Sequence, residues 1–172
     1  MLTGPSLVAA ALLVLAGAQK LIDPSMTSGA LKALRLPSSP TLVRMGAAVE
    51  LAIGAVALVV RGGATWWLVC LSYLAFAAFV SAALRSGTML GSCGCFGREE
   101  TPPHSSHVVL NVGLALVSGI VAVRAPTSVI DAIAAHPGEG AALTAVAVLV
   151  VGLLYAAYVD LPRALRARPS DR

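Results

Sequence analysis

The chain has 172 residues, of which 58% are hydrophobic and only 12% are charged. Soluble domains carry about twice that charged fraction, so the composition excludes an ordinary water-soluble domain and indicates a protein that folds in a bilayer. The net charge of +4 comes from Arg and Lys residues at the edges of apolar blocks, a distribution that does not form a nucleic-acid-binding surface. Three cysteines are too few to staple a secreted scaffold.

Five apolar blocks are long enough to cross a bilayer, which takes about 17–25 helical residues. They are residues 6–22, 41–60, 64–84, 107–124 and 140–159. The first block has no basic segment before it and carries Lys20 near its end, so we expect it to stay in the protein as a span. The sequence therefore predicts an all-α fold, a polytopic transmembrane helix bundle over residues 1–162, followed by a basic C-terminal tail at 163–172.

Shorter segments connect the predicted spans. Residues 28–36 carry leucines on one face and basic residues on another, which predicts a short helix lying flat at the membrane interface. The glycine-containing turn at 61–63 predicts that spans two and three are antiparallel neighbours. Trp66 and Trp67 begin the third span, where we expect both to anchor it at the interface. A second short surface helix is predicted over 127–135.

The basic residues are distributed unevenly between the two sides of the predicted bundle. Ten of them fall on the side that holds the first-to-second loop, the third-to-fourth loop and the C-terminus, and two fall on the other side. An excess of Lys and Arg marks the cytoplasmic face of a membrane protein. The sequence thus predicts a multi-pass protein of the plasma (inner) membrane, with its C-terminus and its third-to-fourth loop in the cytoplasm.

The third-to-fourth loop contains two cysteines one residue apart, in the string GSCGCFG at residues 91–97. Cys93 and Cys95 are close enough in sequence to form a small disulfide ring or to exchange with a partner's thiols. Gly94 gives the backbone the freedom that such a tight pair requires. Phe96 is placed to shield one of the two sulfurs. The pattern favours a dithiol/disulfide redox pair.

Two other roles for the cysteines stay open. They could be structural features of a non-enzymatic membrane assembly factor, or they could handle a metal together with His107. His104 would add a further ligand, but the spacing is not that of a known structural zinc module, and the simpler interpretation is a loop residue at 104 and an interfacial residue at 107. Cys70 lies about 22 Å along its helix from the loop, so we expect it only to pack.

Glu50 is a carboxylate deep inside a predicted span, so we expect it to face the bundle and not the lipid. It shares one stripe with Gly46 and Gly54, where small residues let another helix approach closely. The carboxyl group is either a proton acceptor, alone or within a quinone pocket coupled to thiol oxidation, or a packing device that is protonated or hydrogen-bonded. The candidate partners for that bond are Lys20, Tyr73 and Asn111.

The string CGCFG at 93–97, placed after a third span, resembles the cysteine signature of the MauE family, membrane proteins of methylamine utilisation within the wider DoxX-like group. Two other strings agree with this resemblance: GAQKL at 17–21, which ends the first span, and ELAIG at 50–54, within the second. The resemblance covers residues 1–124. It implies a DoxX-like four-helix core plus a fifth helix, and a membrane thiol–disulfide component.

The resemblance also implies the redox pair and its partner. Cys93 and Cys95 would be the catalytic pair of a thiol–disulfide oxidoreductase component. The supporting residues taken from the sequence are Gly94, Phe96, Glu50 and Lys20. Members of the family are associated with maturation of the disulfide-rich methylamine dehydrogenase subunit, alongside a thioredoxin-like partner, which here would be a separate protein. Apart from the quinone considered above, no cofactor is expected.

One implication of the resemblance conflicts with the charge distribution. Maturation of an exported enzyme requires the cysteines on the oxidising side of the membrane, where disulfides persist. The positive charge places them on the cytoplasmic side. The direction of electron flow therefore stays open at the level of the sequence.

Overall fold

A computed structural model describes residues 3–86, 103–124 and 128–166, the last eight of these by their backbone alone. Within these ranges the chain is helical, with seven helices in chain order. They are α1 (Thr3–Ile22), α2 (Ser25–Ala33), α3 (Pro40–Val59), α4 (Ala64–Arg85), α5 (Ser105–Arg124), α6 (Val129–Ala135) and α7 (Pro137–Arg166). Helices α1, α3, α4, α5 and α7 are long and apolar enough to cross a membrane, which confirms the all-α polytopic bundle.

A side-chain hydrogen bond lies at the start of each of the two short helices. Helix α2 starts at Ser25, whose backbone N–H donates to Oδ1 of Asp23 at 3.0 Å, so it begins three residues before the predicted segment 28–36. Helix α6 follows Ser128, whose Oγ accepts a hydrogen bond from the backbone N–H of Asp131 at 3.0 Å. Both predicted short helices are therefore present, with shifted ends.

Helices α1 and α3 form the first antiparallel pair, and two glycines set its closeness. A Cβ at Gly17 would lie 2.8 Å from the carbonyl oxygen of Ala47 on α3. A Cβ at Gly54 would lie 2.9 Å from the carbonyl oxygen of Ala10 on α1. Any side chain at either position would push the two backbones apart. The prediction that Gly54 admits a neighbouring helix is confirmed.

Helices α4 and α5 form the second antiparallel pair. Gly63, just before α4, packs directly against the backbone of Ala122 near the end of α5. Tyr73 joins the two pairs, because its hydroxyl on α4 donates to the carbonyl oxygen of Ala9 on α1 at 2.6 Å. Helix α7 lies against α1 and α5. We call the end of the bundle where α4 ends and α5 begins the loop end, and the opposite end the far end.

Trp66 departs from its expected place at the membrane interface. Its side chain is 1% exposed and packs in the core, whereas that of Trp67 is 48% exposed. Consecutive residues of a helix point in directions about 100° apart, so one of two adjacent side chains can face lipid while the other faces the bundle. The prediction of two interfacial anchors is wrong for Trp66.

Helix α7 is longer than the predicted span 140–159. It already begins at Pro137, because a proline is tolerated in the first helical turn, where its missing N–H would have no partner. At its other end the helix continues to Arg166, into the predicted tail at 163–172.

An exposed ion pair ties together the connections at the far end. Arg61, in the α3–α4 turn, lies 2.8 Å from Oδ2 of Asp131 on α6. Hydrogen bonds from Ser128 and then from Arg61 hold the pKa of the Asp131 carboxyl below its usual value. Both side chains are exposed to solvent, so the pair orients the turn against α6 and contributes little to stability.

Substituting Gly54 by leucine tests the close approach of α1 and α3. The leucine should lower the free energy of unfolding by about 1–3 kcal/mol or more, because it overpacks a backbone contact. The control is Gly113→Leu in α5, where a Cβ would meet nothing within 4 Å, so that the change should stay within about 0.5 kcal/mol. Titration with a denaturing detergent measures both, and equal stabilities would contradict the contact described.

Candidate functional site

The predicted cysteine pair and two of its supporting residues lie outside the described residues. They are Cys93, Gly94, Cys95 and Phe96. These residues belong to the segment 87–102, which joins α4 to α5 at the loop end. Within the described part of the chain, Cys70 is a free cysteine and is buried in the core, as its position in the sequence predicted.

Lys20 and Glu50, the other two supporting residues, form an ion pair inside the bundle. The Nζ atom of Lys20 lies 2.7 Å from Oε2 of Glu50, and the two side chains are 5% and 18% exposed. The same Nζ lies 4.4 Å from the centroid of the Phe76 ring on α4, a cation–π contact. The other two candidate partners, Tyr73 and Asn111, donate to backbone carbonyl oxygens. The structure thus selects Lys20 as the partner of Glu50.

The direction of the Lys20 side chain follows from the packing of α1 on α3. Gly17 fixes the register of the two helices, and Lys20 follows it by about one helical turn. Side chains of a helix point back toward its N-terminus, so Lys20 extends into the bundle and away from the loop end. A lysine this close to the end of a span commonly extends toward water. Here it reaches inward, to a carboxylate ten residues into α3 and about 15 Å along it.

Lys20 and Glu50 stabilise each other's charge inside the membrane-spanning part of the bundle. A charged side chain inside a bilayer is costly unless it pairs or reaches water, and a mutual hydrogen bond of 2.7 Å provides that pairing. The face of Phe76 covers the ammonium group on the α4 side. Three helices, α1, α3 and α4, therefore contribute one side chain each to the same cluster.

A cavity of about 300 Å³ adjoins the ion pair. It lies between α3 and α4, with Lys20 and helix α2 completing its wall, and Phe76 and Phe79 line it from α4. Gly46 lines it from α3, and a Cβ at this glycine would meet nothing within 4 Å. Gly46 therefore faces open space, and the prediction that it admits a neighbouring helix is wrong.

His107 is fully buried and does not lie at the interface, contrary to the sequence-based expectation. Its Nε2 lies 2.9 Å from the carbonyl oxygen of Tyr158 on α7, so this nitrogen carries the proton and donates it. Its Nδ1 accepts from the backbone N–H of His104 at 3.4 Å. The imidazole also stacks on the Tyr158 ring, with centroids 5.3 Å apart. Because backbone groups engage both ring nitrogens, this geometry disfavours His107 as a metal ligand.

The sequence offered a signal for this burial. His107 precedes Asn111 by four residues, one helical turn, and the Asn111 side chain donates to the carbonyl oxygen of His107 at 2.8 Å. A polar stripe that begins at His107 and continues through Asn111 and Ser118 marks the buried face of α5. The contact with Tyr158 also attaches the start of α5 to α7.

Five helices that can span a membrane, three of which enclose an ion pair, define the class: a multi-pass helical membrane protein. The sequence pattern of the family described as Methylamine utilisation protein MauE matches residues 1–125, and the chain belongs to that family. It is accordingly a membrane protein of methylamine utilisation. The match ends directly after α5, so α6 and α7 lie beyond it. No curated protein and no solved structure matches the chain.

A double-mutant cycle measures the coupling between Lys20 and Glu50. Lys20→Met or Glu50→Gln alone should each lower the free energy of unfolding by about 3–5 kcal/mol, because each leaves one intramembrane charge without its partner. The double variant should lose less than the sum of the two single losses, since it leaves no charge behind. Detergent-induced unfolding of the four proteins gives the coupling. Strictly additive losses would contradict the ion pair.

Proposed function

We propose that the chain is a membrane-embedded thiol–disulfide redox component that supports maturation of a partner protein, with Cys93 and Cys95 as the reacting pair. The observation that carries this proposal is the Cys-Gly-Cys string in the segment joining α4 to α5, in a chain of the MauE family. Two cysteines separated by one glycine can pass between a dithiol and a small disulfide ring.

The exchange proceeds through a mixed disulfide. One thiolate of the pair attacks a disulfide sulfur of the partner, a bond forms between the two proteins, and the partner's other sulfur leaves as a thiolate. The second thiolate of the pair then attacks the mixed disulfide. The pair ends as a disulfide and the partner as a dithiol, so two electrons have moved to the partner. The reverse sequence oxidises the partner instead.

Charges near the pair in sequence bear on its reactivity. Arg85, the last residue of α4, and Arg98 flank the cysteines, and cationic groups nearby lower the pKa of a thiol and favour the thiolate that attacks. Glu99 and Glu100 act in the opposite direction. Shielding of one sulfur by Phe96 would leave the other as the entry point for the partner.

The partner that fits this chemistry is a separate thioredoxin-like protein. The described residues of this chain are helical, whereas the thioredoxin fold is built on a β-sheet, so the bundle supplies the membrane anchor and the partner supplies the second redox centre. We place the protein in the plasma (inner) membrane. The excess of basic residues supports a cytoplasmic C-terminus and cysteine segment.

Mass-tagging of thiols tests the redox pair. In membranes treated with oxidant and then with reductant, the wild-type protein should gain two thiol tags, and Cys70→Ala should gain the same two, because Cys70 is buried in the core. The Cys93→Ser and Cys95→Ser variants should each fail to gain these two tags on reduction. One of the two serine variants should also trap the mixed disulfide with the partner, which a non-reducing gel detects.

Two results would count against the proposal. A Cys93/Cys95 pair whose alkylation never changes with redox conditions is not a redox centre. Full maturation of the partner by the Cys93→Ser/Cys95→Ser double variant would indicate a non-enzymatic assembly factor instead. A membrane-impermeant maleimide, applied to intact spheroplasts and to inverted vesicles, decides on which side the pair lies.

A further inference from the structure

We propose that the cavity between α3 and α4 binds the ring of a lipid-soluble quinone. The inference rests on the proposed function in the direction that oxidises the partner: the cysteine pair takes two electrons from the partner, and the quinone ring then accepts them as the pair returns to its disulfide. In the balanced reaction a dithiol and a quinone become a disulfide and a hydroquinone, with two electrons and two protons transferred from the sulfurs to the ring oxygens. The cavity, its polar groups and its access each support this occupant.

The cavity has the size and lining of a small-molecule site. Its volume of about 300 Å³ lies at the lower end of the range of about 300–1,000 Å³ that is usual for ligand pockets, which suits one substituted ring. Most of its wall is apolar, and Phe76 and Phe79 present aromatic surface to it. Gly46 keeps it open: Gly17 and Gly54 contact a neighbouring backbone, but a side chain at Gly46 would extend into open space.

The ion pair supplies the polar chemistry that a quinone requires. The ammonium group of Lys20 has three N–H donors. One of them faces Oε2 of Glu50, and the group also lies over the Phe76 ring. A quinone carbonyl oxygen is an acceptor for a remaining donor, and the positive charge would stabilise the negative charge that develops on that oxygen as electrons arrive. The carboxylate of Glu50, beside the same cavity, is a group through which protons can pass.

The position of the pair favours a neutral, lipid-soluble ligand over a phospholipid headgroup. Glu50 lies about 15 Å along α3 from its start, near the middle of a bilayer of about 30 Å, whereas headgroups lie at the surface. Lys20 and Glu50 together carry no net charge, so an anionic phosphate would meet a carboxylate as well as an ammonium group. A ring with two carbonyl oxygens requires hydrogen-bond donors but no net charge.

The cavity also opens where such a ligand would arrive. Leu42 on α3 and Ala75 on α4 line it and are exposed on the surface of the bundle. Both belong to membrane-spanning helices, so this opening faces the lipid. A quinone dissolved in the bilayer can therefore enter sideways between α3 and α4 without crossing water.

Photolabelling tests this assignment directly. The full-length protein, reconstituted in phosphatidylcholine nanodiscs, is irradiated with a short-tailed azidoquinone, and digestion with mass spectrometry locates the label. In the wild-type protein the label should lie on α3 and α4. Gly46→Phe fills the cavity and should reduce that labelling by about tenfold or more, as should Ala75→Trp, which narrows the opening. The matched control is Gly152→Phe, at an exposed glycine of α7 where a Cβ also meets nothing within 4 Å, and it should label like the wild type.

Competition and thiol tagging complete the design. Excess decylubiquinone should displace the label, whereas phosphatidylglycerol should not. Unchanged labelling of both Gly46→Phe and Ala75→Trp, or displacement by phosphatidylglycerol, would overturn the quinone site. Thiol tagging of the same samples separates the two proposals. A cysteine pair that cycles with its partner while no label enters the cavity refutes the quinone site alone, and a cavity that is labelled beside inert cysteines refutes the redox function.

Discussion

The close approach of α1 to α3 is the constraint on which the arrangement of this bundle depends. Glycine at positions 17 and 54 lets the two backbones touch, and this contact sets the register that brings Lys20 opposite Glu50. A bilayer offers no hydrophobic force between helices, so small residues and buried polar contacts must hold them together. Here the small residues and the ion pair both act between α1 and α3: the glycines allow the close approach, and the ion pair joins the two helices at that distance.

The rest of the bundle is organised around that first pair. Helices α4 and α5 form a second pair through Gly63 and Ala122, and Tyr73 joins it to α1. Helices α3 and α4 follow one another in the chain, but at the ion pair a cavity separates them, lined by side chains of both. The contacts that stabilise the fold thus leave an opening between α3 and α4, and a buried charge pair lies beside it.

The cysteine segment at 87–102 connects two helices of the bundle, and this connection bears on the proposed function. The segment joins the bundle at the loop end, between two helices that are fixed at their far end by backbone contact and, at the start of α5, by the stacking of His107 on Tyr158. A thiol pair that must meet a separate protein needs a rigid base. A lipid-soluble electron acceptor for that thiol pair needs access to the protein from the bilayer. The proposed redox pair and the proposed quinone site would meet these two needs within one molecule.

The amino-acid sequence was enough to predict the spans, the helical class, the family resemblance and the residues of interest, because hydrocarbon thickness and the cost of buried charge leave few alternatives for apolar blocks and for an acid such as Glu50. It left three possible partners for that acid, treated Gly46 and Gly54 alike, and placed Trp66 and His107 at the interface. The packing of the folded helices settled these points. Composition and periodicity give the face of a helix, but not which neighbouring helix meets that face or at what register. That choice depends on backbone contacts between residues distant in the chain, and it is why Lys20 is the partner of Glu50 and why Gly46 faces a cavity.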